Sequence, residues 1–193
     1  ECSKGHPLYL KLYCDALFNG AMEIEDVQRL PDKWETILEN IIQQISEAGT
    51  NEDILDLLHL LAISKAPLSI SAIAEFLNIR VMKAKTVLDN CRVLLLETAS
   101  NQRSEYFQFF HESLREWFSK TQKSECRTMA KRVANHCLDW RDCQEEEVRH
   151  YAFTHGATHL YELSDREQLW QLLHDEAYRQ AQIKELNRYQ ESY

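Results

Sequence analysis

Glycine is scarce in this chain, four residues in 193, and proline is scarcer still at three. With so few breakers, a many-stranded sheet and its turns is excluded, and helices with short connections are expected. Basic residues are also short, 22 Lys and Arg against 31 Asp and Glu, for a formal charge of −9. That balance argues against general polyanion binding, which needs a positive surface and releases counterions. No stretch approaches the ~20 apolar residues that cross a bilayer. The opening residues lack the charged start and small-residue cleavage site of a secretion signal.

Two chemistries are missing as well. There is no Gly-x-x-x-x-Gly-Lys-Ser/Thr loop, and Gly5, Gly20, Gly49 and Gly156 stand too far apart to build a backbone cradle for phosphates. ATP hydrolysis by these residues alone is therefore not expected. The six cysteines form no Cys-x-x-Cys knuckle and are spread through helical patterns, which reads as reduced thiols in a cytoplasmic protein. Cys137, Cys143, His150, His155 and His159 are the residues nearest to a metal set, but they match no ligand spacing and the histidines read more simply as surface groups. No metal is expected. Ser113 has no nucleophile elbow around it, Cys91 lies on an apolar stripe, and Glu145-Glu146-Glu147 reads as the solvated first turn of a helix.

Apolar periodicity divides what remains into three parts. Residues 1–50 read as a helical domain, with Pro7 in a first turn, Gly20 closing that helix, and Asp32 capping a second that carries Trp34, Ile37, Leu38, Ile41, Ile42 and Ile45. Residues 51–120 read as three helices and a two-stranded ribbon, a winged helix-turn-helix. Its helices hold Ile54 to Leu61, Ile73 to Leu77 and Val81 to Cys91; Val93 to Leu96 and Tyr106 to Phe109 are its strands, joined by a polar turn over Ala99 to Ser104. Residues 121–193 read as an all-helical arm or the start of a solenoid, ending in a polar helix end or linker from Ala181. The fold class is thus mainly α with a small β wing. Trp34, Trp117, Trp140 and Trp170 all sit at apolar helical positions and are expected mostly to join helices.

Two separated segments carry a family resemblance: Gly5-His6-Pro7-Leu8 near the start and Phe110-His111-Glu112 at the ribbon's exit. Their order and the elements between them resemble the STAND class of signal-transduction ATPases, which includes the NACHT and NB-ARC proteins of innate immunity and cell death. There a Gly-Leu-Pro-Leu type motif opens the helical domain after the nucleotide-binding core, and a Met-His-Asp type motif closes the winged helix. Each motif is matched here in part, with His6 in place of an apolar residue and Glu112 in place of Asp. The resemblance implies that Pro7 lies against adenine with Gly5 permitting the preceding turn, and that His111 reaches the β-phosphate of ADP. It implies a piece of a longer protein, binding ADP or ATP with Mg through an upstream P-loop core, coupled to downstream sensor repeats and forming a homo-oligomer on activation. Two other readings stand beside it: a DNA-binding regulator using Arg80, Lys83, Lys85 and Arg103, and a helical adaptor with no nucleotide link.

Overall fold

The computed structural model describes residues 10, 11, 14, 17, 18, 34–47, 51–99 and 105–191. Ordered along the chain are α1 (Trp34–Glu47), α2 (Asn51–Ile63), β1 (Leu68–Ser69), α3 (Ile70–Leu77), α4 (Val81–Asn90), a 3-10 turn (Arg92–Leu94), β2 (Leu95–Ala99) and β3 (Glu105–Phe109). Five helices follow: α5 (Glu112–Thr121), α6 (Lys123–Leu138), α7 (Glu146–Glu162), α8 (Arg166–His174) and α9 (Glu176–Glu191). The protein is mainly helical with a small antiparallel sheet. Asp32, Gly20 and the tip of the ribbon lie outside the described residues.

From α2 to β3 the order helix, strand, helix, helix, strand, strand is that of a winged helix. Its sheet has three strands in the order β1-β3-β2, one more than the sequence reading expected. The extra strand pairs Leu68 with Phe107 and Ser69 with Tyr106. Two residues directly after Pro67 are too short for any period to show. Ser69 has a second role, because its hydroxyl accepts the Ala72 N–H at 3.2 Å and starts α3. Asn78 ends that helix in the left-handed region at φ 53°, where asparagine is tolerated, and turns the chain into α4.

The run Val93 to Leu96 is not one buried strand. Arg92–Leu94 wind as a 3-10 turn that sinks Leu94, and pairing begins at Leu95, opposite Phe109. Once in the strand the side chains alternate, so Leu95 faces the core while Leu96 is exposed. The apolar run therefore serves two elements rather than one.

One continuous core joins the winged helix to the arm. Leu57, Leu58, Leu60 and Leu61 of α2 are fully buried in the same cluster as Leu114 and Phe118 of α5, Met129 and Val133 of α6, and Val148 and Tyr151 of α7. Leu38, Ile41 and Ile42 bring α1 onto it. A smaller cluster of Ala134, Phe153, Leu160, Leu172 and Tyr178 seats α8 and α9 on the outer side of α6 and α7. Gly156 lets α6 and α7 approach, since a Cβ there would sit 3.1 Å from the Cys137 Cβ.

Candidate functional site

His111 stands at the junction of β3 and α5. Its backbone is extended, at φ −147° and ψ 139°, and its ring nitrogen Nδ1 accepts the Ser113 N–H at 3.1 Å. That bond caps α5 and sets the neutral tautomer: with Nδ1 accepting, the proton sits on Nε2, which becomes a donor. Packing fixes the mount. Phe109 stacks on Phe118 with centroids 5.4 Å apart and planes 10° apart, and Trp117 meets Phe118 edge-on at 5.0 Å. Arg115 ties the first turn of α5 to α2 by donating from Nη1 to the Ser64 carbonyl. Phe110, the residue before the histidine, carries the Lys11 ammonium 4.5 Å from its ring centroid. An opening segment that precedes the winged helix in sequence thus reaches its exit in space. Gly5 and Pro7 lie outside the described residues.

The surface considered for nucleic acid looks different in three dimensions. Lys83 is held by Asp53 of α2 at 2.7 Å, and Arg92 is held by Glu97 at 2.7 Å. Arg80 and Lys85 are exposed, but so are Val81 and Met82 beside them, Met82 with 75% of its surface open. A recognition helix needs base-reading polar groups and free cations on its outer face. This helix instead shows apolar side chains and a neutralised lysine. Arg103 lies outside the described residues.

A groove of about 730 Å³ runs between the sheet and the arm, with Pro67, Leu68 and Tyr106 on one wall and Glu147, His150, Tyr151, His155 and Leu186 on the other. The Tyr106 hydroxyl donates to Glu147 at 2.8 Å across it. At its base Tyr151 Oη accepts the Lys65 N–H at 3.0 Å and lies 2.8 Å from His159 Nε2. The hydroxyl proton therefore points at His159, whose Nε2 accepts. Burial first, then the Lys65 charge and His155, push the His159 pKa down to about 4, and burial likewise lowers His150 and His155. His159 is therefore a buried, hydrogen-bonded core group and not the surface histidine that the sequence reading expected, because Tyr151 of the same helix supplies its partner.

Glu75 of α3 was not singled out by sequence reasoning, yet it joins winged helix to arm. One carboxylate oxygen meets His136 Nε2 at 2.9 Å and the Gln144 N–H at 3.2 Å, and the other accepts the Glu145 N–H at 3.1 Å. Arg132 donates to the Leu77 carbonyl nearby, and Lys65 pairs with Glu162 at 2.6 Å. A lone glutamate on an amphipathic helix gives no signal of partners some 60 to 70 positions away.

The remaining candidates are quickly placed. Cys91 is fully buried and its thiol is pushed up to about 12 by burial, which suits core rather than nucleophile. Cys14, Cys91, Cys126, Cys137 and Cys143 are all free thiols. Glu145 precedes α7 and Glu146 and Glu147 form its first turn. Trp117 and Trp140 pack against the core, whereas Trp170 is 65% exposed and stacks on His174 at 3.8 Å. Of Leu169, Leu172 and Leu173 on the same helix, Leu172 is buried.

Comparison with known proteins finds no match: no family model, no curated protein and no solved structure.

Proposed function

We propose that this chain is a regulatory segment of a STAND-type signalling ATPase, coupling the nucleotide state of an upstream core to the position of a downstream sensor. It performs no catalysis of its own. ADP would be gripped by Pro7 and Gly5 from one side and by His111 from the other, and release of that grip would permit exchange for ATP with Mg and oligomerisation.

The observation that carries the reading is Lys11 over the Phe110 ring. Lys11 follows Pro7 by four positions in the sequence, and Phe110 immediately precedes His111. A residue close after the first motif in sequence thus touches a residue of the second, about a hundred positions away. Chemistry agrees: with the Ser113 N–H on Nδ1, a neutral His111 ring carries its proton on Nε2, a donor of the kind that suits a phosphate oxygen. The outer face of α4, with Val81 and Met82 open and Lys83 paired, supports protein contact rather than DNA reading.

His111→Ala in the full-length protein should speed ADP release by about 10- to 100-fold, the worth of one hydrogen bond to a charged group, and raise basal signalling. Unchanged ADP retention removes His111 from the mechanism. A parental sequence with no phosphate-binding loop ahead of residue 1 removes the ATPase reading altogether. A salt-dependent gel shift, lost in Lys83→Glu with Lys85→Glu, would install the DNA-binding regulator in its place.

A further inference from the structure

Three side chains from three segments converge on the staple between winged helix and arm. Glu75 comes from the middle of α3, His136 from the last turn of α6, and Cys143 from the connection into α7. Their ligand atoms, a carboxylate oxygen, an imidazole nitrogen and a thiol sulfur, all lie within 4.8 Å of one another. Among the described residues this is the metal-capable cluster, and it shares only Cys143 with the set considered from sequence.

We propose that Glu75, His136 and Cys143 bind a divalent cation of the zinc class, which cross-links the winged helix to the arm. Mixed O, N and S donors suit zinc and its borderline neighbours, whereas calcium and magnesium take oxygen alone. Ligands around tetrahedral zinc stand ~3.5 Å apart, so closure asks roughly an ångström of movement from side chains. Two of the three ligands are braced by neighbours. The Phe76 ring meets His136 edge-on at 5.4 Å, and the Gln144 and Glu145 amides orient the Glu75 carboxylate. Such outer contacts hold first ligands in place at metal centres. Cys143 is 6% exposed, with Sγ 4.0 Å from the His136 carbonyl, while His136 keeps an edge open to solvent for entry and for a fourth, water ligand. On binding, the thiol proton leaves to water and the thiolate takes its place on the metal.

The test is a Co²⁺ titration of the chelator-treated full chain, with zinc competing. A sulfur-to-cobalt charge-transfer band should saturate at one equivalent and be erased by zinc. Cys143→Ser and His136→Gln should abolish it; Cys14→Ser and Cys126→Ser should leave it intact. X-ray absorption of the wild-type zinc form should read one sulfur among nitrogen and oxygen neighbours, a result that does not depend on any variant folding. No band, a band that survives Cys143→Ser, or a coordination shell with no sulfur or several overturns the proposal.

Discussion

His159 shows how a residue's surroundings become a property of the whole. It is buried to 1% exposure, takes a hydrogen bond from Tyr151, and has its pKa held near 4 chiefly by burial. An unfolded chain would protonate the same ring near 6.5. Between those values the unfolded state binds the extra proton, so stability is complete above about pH 6.5 and falls as the pH drops toward 4. The loss attributable to His159 is on the order of 3 kcal/mol, and His150 and His155 act in the same direction because their pKa values are lowered too. Urea midpoints measured from pH 7.5 to 4.5 should show this slope, and it should flatten in His159→Gln. A wild-type slope that the substitution leaves unchanged would assign acid sensitivity elsewhere. His159 was weighed in sequence as one of five metal-ligand candidates; what the spacing could not reveal was that Tyr151, two turns earlier on the same helix, occupies its Nε2.

Between elements, α6 and α7 cross closely at Gly156. Gly156 sits in the middle of α7, where glycine costs about 1 kcal/mol in helix propensity relative to alanine. The compensation is approach: the Cys137 Cβ would lie 3.1 Å from a Cβ at that position. Gly156→Val is expected to force the helices apart and lose about 2 kcal/mol or more, measured by urea unfolding. An equal or higher midpoint would mean that the crossing has slack. A glycine inside a helical pattern signals by itself only a weaker helix; the partner that makes Gly156 useful lies on another one. The same blindness applies to β1 and to the staple at Glu75. Two strand residues carry no period, and a carboxylate that caps a distant helix start resembles any solvated glutamate.

At the scale of the molecule, the winged helix and the base of the arm share one core, because α2 packs simultaneously on α5, α6 and the helices of the wing. Amides of Leu57 to Leu61 in α2 and of Met129 to Val133 in α6 should therefore exchange with deuterium through one common opening. Those of α8 and α9, seated on the smaller cluster around Phe153 and Tyr178, should open at lower free energy. Separate openings for α2 and α6 would refute the shared unit. In the proposed mechanism a shared core of this kind would turn as a block, and the joint for nucleotide to work would be the one between the opening segment and the His111 turn.

Local chemistry was enough to set the class of fold. Scarce glycine and proline, helical periodicity, and a β-rich pair of segments near Leu95 and Phe107 announced helices with a small wing, because each of those signals is written in residues a few positions apart. The sequence also marked His111 and its flanking phenylalanine. Only the tertiary structure decided that Lys11 lies over that phenylalanine, that the run Val93 to Leu96 splits between a turn and a strand, and that Glu75, His136 and Cys143 meet. Those outcomes depend on contacts between elements far apart in the chain, and such contacts are selected by the fit of whole faces rather than by any local pattern.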